Sequence, residues 1–430
     1  MNPTSSLRDA TWLRPDIARA FGLMLLICFA ALAASIPWTD PARHVAGDFA
    51  AFWTAANFAI QGDLAAAYGA RGSEAVAAVF GPGIYAPLFY PPTALLIWLP
   101  FAFLPFAAAA ALWLTGTGIA YLAAVRKIAC GHLAILAAFP SVALCGLYGQ
   151  NSLLSAALLA GAAVTLDQRP IVAGALLGCL AYKPQLAILA PLLLALAGRW
   201  HAFVSVAVTA ASLVAASALA FGVEPWLAFI SGLPAAKAWF TEGAPGFGMF
   251  ASPYAAMRLL GASAGTAWAA QTVAGVAAVA GMLWLARRRP GGAAEISAMV
   301  VATGFCVPSL GEYDLVIFAV PAAWLAAEAV RNGWLPYERV GLAVLYLAPL
   351  FISGTEAHGV PVAPVALAAL AYLVGRRVAL GLPVYTSAPS PRRYSVSTSA
   401  SPFTPPLNRR RTPATSPSSA SGLQPAAAQK

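Results

Sequence analysis

An acid directly after a glycine, in the run Gly47-Asp48-Phe49-Ala50-Ala51-Phe52-Trp53, is the residue whose surroundings best suit chemistry. It follows the first apolar segment of the chain and stands among aromatic side chains. A carboxylate at a membrane–water boundary can take the proton of a sugar hydroxyl while a lipid carries the donor. Only 9% of the 430 residues are charged, so an acid in such surroundings needs a reason. A second reading stands on equal terms. Asp is a favoured helix N-cap, and residues 48–60 read as an amphipathic surface helix anchored by Phe49, Phe52, Trp53 and Phe58.

Other candidates are scattered along the chain. Lys183 lies in an apolar run, where an unpaired ammonium is costly. It can snorkel to the surface, form an ion pair with an acid, or contact a phosphate oxygen. Glu312-Tyr313-Asp314 brings two further acids. Gln150 and Asn151 suit sugar hydroxyls, and suit equally the backbone of a broken helix. Arg258 is a second cation that a phosphate leaving group could use. Tyr90-Pro91-Pro92 reads as architecture that sets the angle at which the chain enters the membrane. The four histidines (His44, His132, His201, His358) contain no His-x-x-x-His pair. The five cysteines (Cys28, Cys130, Cys145, Cys179, Cys306) fall in apolar segments without Cys-x-x-Cys spacing and read as small buried hydrophobes. There is no Asp-x-Asp pair. No metal site and no cofactor are expected.

These residues must be positioned by a membrane scaffold. Hydrophobic residues make up 60% of the chain, and mean hydropathy is +0.75, values of a polytopic membrane protein. A spanning helix needs about 20 apolar residues. The apolar windows lack the period-2 alternation of a barrel, so the fold class is all-α. The formal charge of +10 does not point to nucleic acid. Arg14, Arg19, Arg199, Arg287-Arg288-Arg289 and Arg376-Arg377 sit at segment ends, as the positive-inside rule requires, and no basic stripe interleaves with aromatics.

Alternation gives about 12 transmembrane helices with both ends of the chain in the cytoplasm. Residues 1–20 form the cytoplasmic N-terminus and 21–380 the membrane domain, starting with an uncleaved anchor over 21–36. External loops are expected at 37–89, carrying Asp40, Arg43, His44, Asp48, Asp63, Arg71 and Glu74, and at 222–265. Residues 126–150 fit least well. Arg126-Lys127 falls outside, against the charge rule, and the stretch broken by Pro140 must be re-entrant or interfacial. From about 381 the chain turns rich in Ser, Pro, Thr and Arg without any acid, the composition of a disordered basic tail.

Taken in order, Gly-Asp-Phe-x-x-Phe-Trp (47–53), Tyr-Pro-Pro (90–92), Gly-Gln-Asn-Ser-Leu-Leu (149–154), Ala-Gly-x-Leu-Leu-Gly (173–178) with Tyr-Lys-Pro (182–184), and Glu-Tyr-Asp (312–314) resemble glycosyltransferase family 87. These are mannosyltransferase-like membrane proteins of the GT-C superfamily, and the resemblance covers roughly residues 47–324. It implies a GT-C-like architecture with a catalytic first external loop, a polyprenyl-phosphate sugar donor, a glycan or lipid acceptor, and an active site facing the periplasm of a bacterial inner membrane. The aspartate base it implies falls on Asp48, and Lys183 becomes a candidate contact to the donor phosphate. Gln150, Asn151, Arg258, Tyr313 and Asp314 complete the expected substrate-binding set. The expected reaction inverts the anomeric carbon. Its rival is a secondary transporter or flippase, since Pro- and Gly-interrupted spans occur there too. The absence of an internal repeat and the placement of polar residues in loops favour the transferase.

Overall fold

Hydrocarbon leaves the backbone no water to bond with, so apolar segments close their hydrogen bonds internally as helices. The computed structural model describes residues 3–35, 47–81, 87–129, 131–244, 246–288, 290–352 and 359–380. Asp40, Arg43, His44, Cys130, Arg289, His358 and the 381–430 tail lie outside the described residues. Among the described residues the structure is helical, with no strand beyond an isolated bridge between Phe250 and Gly311. It is an all-α, multi-pass membrane protein.

Among the described residues six helices are long and apolar enough to cross a bilayer: Pro15–Ser35, Phe106–Val125, Trp200–Phe221, Ala264–Arg287, Glu312–Asn332 and Val362–Ala379. The other apolar segments are shorter, and proline is one cause. Pro140 separates Leu133–Ala137 from Pro140–Tyr148, and Pro184 follows the break after Cys179–Tyr182. Each proline removes an N–H and crowds the preceding turn. The Ser152–Thr165 helix has 14 residues, and at about 1.5 Å per residue it falls short of a bilayer core of about 30 Å.

Length and burial are related. Gly292–Cys306 and Ser152–Thr165 are buried over most of their length, whereas Pro15–Ser35 and Trp200–Phe221 turn apolar side chains outward. Leu219 is 88% exposed and Ile27 70%. Apolar surface of that kind suits lipid rather than water.

Small residues set the closest approaches. The Pro170–Gly178 helix packs on Trp200–Phe221 through Gly174 and Gly178, one turn apart. A Cβ on Gly174 would lie 2.3 Å from the Ala202 carbonyl oxygen, and one on Gly178 would lie 2.6 Å from the Thr209 Cβ. This is small-xxx-small packing, in which missing side chains let two backbones touch. It holds the segment that leads into Lys183.

The helix Gly47–Ile60 departs from the surface-helix expectation. Its aromatics are packed on protein rather than on a membrane interface. Phe52 stacks on Trp98 at 3.9 Å, Phe49 stacks on Trp113 at 6.0 Å, and Trp53 donates its indole N–H to the Leu104 carbonyl at 3.1 Å. Apolar residues occupy its whole circumference, so it is covered on most sides instead of lying half-wetted. The expected loop 222–265 is also largely helical, with Glu224–Thr241 and Pro253–Leu259.

Helix ends are tied by two charged clusters. Arg199 bonds Asp167 at 2.6 Å and Glu295 at 3.1 Å, and Asp167 also accepts from the Gly292 N–H at 2.9 Å. Arg377 holds Glu338 with two bonds of 2.6 Å, both side chains being buried.

Candidate functional site

Each segment reaching the site is shaped by its own sequence. The helix Pro140–Tyr148 ends at Gly149, whose φ of 73° is left-handed and costs a glycine nothing. The Gln150 N–H then bonds back to the Cys145 carbonyl at 2.9 Å and the Gly149 N–H to Gly146 at 3.3 Å. That paired closure is a Schellman cap, and it turns Gln150 and Asn151 inward before the next helix begins at Ser152. Lys183 sits at the break between the turns Cys179–Tyr182 and Pro184–Leu186, so it does not continue a helix. The Thr93 hydroxyl holds the Ala181 carbonyl at 2.9 Å. The Glu312–Asp314 segment is pinned by the bond from Ala251 N–H to the Leu310 carbonyl at 2.8 Å.

Five separated stretches thereby meet in one polar cluster. The Gln150 side-chain amide donates to Oδ2 of Asp48 at 2.7 Å. Its oxygen accepts from the Tyr90 hydroxyl at 3.2 Å and from the Asn151 backbone N–H at 3.3 Å. Lys183 Nζ bonds Oδ1 of Asp314 at 2.6 Å and Oδ1 of Asn151 at 3.3 Å. The same ammonium lies 5.9 Å from the Tyr90 ring centre and 5.6 Å from that of Tyr313, within cation–π range. The Ser152 hydroxyl donates to Asp314 as well. Beneath the cluster, Ser155 and the Tyr182 hydroxyl share a bond of 2.7 Å.

The electrostatics of the cluster are asymmetric. Lys183 and Asp314 form a buried, hydrogen-bonded ion pair. Asp48 has no such direct cation among the described residues, and the residue is only half-buried. Burial pushes its carboxyl up from 3.8 to about 6, with the Gln150 bond and the charge of Lys183 opposing the rise and Asp314 adding to it. Loss of water outweighs the favourable partners. Asn151 is fully buried, yet among the described residues its side-chain Nδ2 makes no hydrogen bond of good geometry, only a looser interaction with the Tyr90 hydroxyl. A poorly satisfied donor in such a place is rare and costly.

The expected site residues divide accordingly. Asp48, Gln150, Asn151, Lys183, Tyr313 and Asp314 come together. Arg258 does not join them: its guanidinium lies over the Phe247 ring at 4.8 Å and donates to the Tyr254 hydroxyl at 3.4 Å, in a separate aromatic group. Of the alternatives open for Lys183, the ion pair is present. Asp48 lies within the first turn of its helix and accepts from Gln150, 102 residues away. Sequence reasoning treated Tyr90 as architecture and passed over Ser152 and Tyr148. The Tyr148 hydroxyl donates to Glu312 at 2.8 Å, and its ring meets Tyr313 edge to face at 5.7 Å. The tyrosine next to Pro-Pro was the available signal for the first. Nothing local distinguishes the other two.

A family model for glycosyltransferase family 87 matches residues 88–310. The match takes in Tyr90, Gln150, Asn151 and Lys183, while Asp48 and Glu312-Tyr313-Asp314 flank it. Comparison with curated proteins and with solved structures finds no match.

Proposed function

The chain belongs to glycosyltransferase family 87, and from that premise we propose that it moves a hexose, mannose in the first instance, from a polyprenyl phosphate to a glycan or lipid acceptor. Asp48 is the general base. The acceptor hydroxyl attacks the anomeric carbon from the side opposite the phosphate. As the new C–O bond forms, the old bond to the phosphate oxygen breaks and its electron pair leaves with the polyprenyl phosphate. The hydroxyl proton passes to the Asp48 carboxylate, and the anomeric configuration inverts. A positioned base of this kind contributes about 10²- to 10⁴-fold.

The observation that carries this reading is the contrast between the two aspartates of the cluster. Asp314 is committed to Lys183 and Ser152. Asp48 accepts only from Gln150 among the described residues, and its carboxyl is pushed up to about 6, a strength suited to proton transfer near neutral pH. Around it, Lys183 supplies charge for the phosphate. An ammonium has three N–H groups, and Asp314 and Asn151 take two, leaving one for a phosphate oxygen. The poorly satisfied Nδ2 of Asn151 suits a sugar hydroxyl or a second phosphate oxygen. Tyr313, whose ring lies 5.6 Å from the Lys183 ammonium, is the aromatic residue assigned to the sugar. In this reading the membrane domain covers residues 21–380 with about 12 crossings, counting the shorter helices, and the cluster faces the periplasm of a bacterial inner membrane.

The test is to incubate the reconstituted protein with polyprenyl-phosphate mannose, glucose and arabinose and measure consumption of each. Consumption of the mannose donor that stops in Asp48→Asn is the expected result. Failure to consume any of the three with membrane-lipid and glycan acceptors present would overturn the proposal.

A further inference from the structure

Tyr90 has a hydroxyl whose partner touches the proposed base, and its ring is held too firmly for that contact to be casual. The ring is wedged edge-on against Phe52 at 5.1 Å and Trp98 at 5.3 Å, and its own carbonyl accepts from the Tyr68 hydroxyl at 2.9 Å. We infer that Tyr90 is a positioning residue: acting through Gln150, it aims an amide N–H at Oδ2 of Asp48 and leaves Oδ1 as the oxygen that receives the acceptor's proton.

The orientation of the Gln150 amide follows from what its neighbours can do. A backbone N–H only donates, so the atom 3.3 Å from the Asn151 N–H must be the amide oxygen. The Tyr90 hydroxyl, 3.2 Å from the same oxygen, donates to it as well. The NH2 end therefore faces Asp48, and turning the amide over would set donors against a donor. The Schellman cap at Gly149 and the bond from the Cys145 thiol to the Gln150 carbonyl at 3.1 Å fix the backbone beneath it. With one carboxylate oxygen engaged by an uncharged donor, the other keeps its lone pairs. A guanidinium or ammonium in the place of Gln150 would hold Asp48 ionised and too weak to accept a proton.

This inference rests on Asp48 as the base but not on the identity of the donor, and the test separates the two. The full chain is placed in lipid nanodiscs and its carboxyl groups are titrated by infrared spectroscopy, with Asp48→Asn identifying the Asp48 band. Gln150→Leu removes a charge-assisted bond, so the Asp48 midpoint should rise by about one to two pH units, which is about ten- to a hundredfold in ionisation. Tyr90→Phe keeps the ring packing and removes one of the two bonds that hold the amide oxygen, leaving only the Asn151 N–H. Its midpoint should rise in the same direction by less, and the acid limb of kcat/KM should move with it while KM for the donor stays put. Should Gln150→Leu fail to fold, Gln150→Met serves, since it keeps the length of the side chain and removes the donor. Lys183, Asp314, Tyr148 and Tyr313, the other groups acting on Asp48, all remain in place in these variants, and the Phe ring keeps the face that Tyr90 turns to the Lys183 ammonium. A Tyr90→Phe protein that titrates and turns over like the wild type overturns the positioning role, as does a Gln150 variant with an unmoved midpoint. Shifted midpoints in a protein that consumes no polyprenyl-phosphate sugar would uphold the positioning and sink the donor assignment.

Discussion

Replacing Lys183 separates a structural ion pair from a substrate contact. Lys183 Nζ and Asp314 Oδ1 are 2.6 Å apart with both side chains buried. At an effective dielectric constant of about 20, that separation is worth about 6 kcal/mol of attraction before the cost of removing both charges from water. The net value is small, but removing one partner leaves the other buried and uncompensated, at about 3–5 kcal/mol. Lys183→Ala would leave Asp314 with only the Ser152 hydroxyl and the Gly311 N–H. The double change Lys183→Met with Asp314→Asn removes both charges, keeps the volume and keeps an acceptor for Ser152. Thermal unfolding in nanodiscs, followed by the fluorescence of the 12 tryptophans, should show a large loss of Tm in the single variant and near-recovery in the double one. Donor consumption should fail in both, because neither has an ammonium for the phosphate. Recovery of wild-type donor kinetics in the double variant would refute the phosphate role, and a single variant as stable as the wild type would refute the buried pair.

Asp48→Asn should lower transfer by at least about 10²-fold in a protein that still folds, since Asn still offers Gln150 an oxygen. In the wild type, kcat/KM should rise with pH through about 6, because the Asp48 carboxyl is raised from 3.8 and is a base only when ionised. By linkage the same elevation adds stability that is fully present below 3.8 and is lost as pH rises through about 6, so the difference in Tm between wild type and Asp48→Asn should shrink or change sign across that window. Gly174→Ala would drive a Cβ to 2.3 Å from the Ala202 carbonyl oxygen, and it should cost about 1–3 kcal/mol in thermal unfolding. Arg258→Ala should leave donor kinetics within about twofold of wild type, since losses at exposed or remote cation sites are usually small, and a large rise in donor KM would return Arg258 to the site.

The membrane class was legible because composition alone excludes water-soluble packing. What the composition hid is which helices face lipid. Ala- and Leu-rich stretches such as Gly292–Cys306 and Trp200–Phe221 read alike, yet one is buried almost throughout and the other exposes Leu219 and Val208. Hydropathy does not separate protein from lipid when both are apolar. The Gly47–Ile60 helix misled for a related reason: aromatic residues suit an interface and a core equally, and only tertiary neighbours such as Trp98 and Trp113 decide. The site was legible as residue types, but its wiring was not. Asp48 and Gln150 are 102 positions apart, and Lys183 and Asp314 are 131. Arg258 was included on its charge alone, which carries no information about place.

That wiring has a physical logic for a base working beside a lipid phosphate. A site that stabilises a leaving phosphate needs a cation, and a cation near the base would lower its affinity for a proton. The cluster resolves the conflict by distance and pairing. Lys183 spends its closest contact on Asp314, and Asp48 is held instead by the neutral amide of Gln150. Burial then outweighs the remaining pull of Lys183, and the carboxyl rests at about 6 rather than in the ordinary acid range. On the proposed reading, an ammonium without Asp314 would be free to turn toward Asp48 and quench it, and the second aspartate would act on the chemistry without touching the sugar. The buried pair contributes little net stability for its desolvation cost. Its value on this reading lies in keeping charge available for the phosphate while the neighbouring carboxylate stays basic.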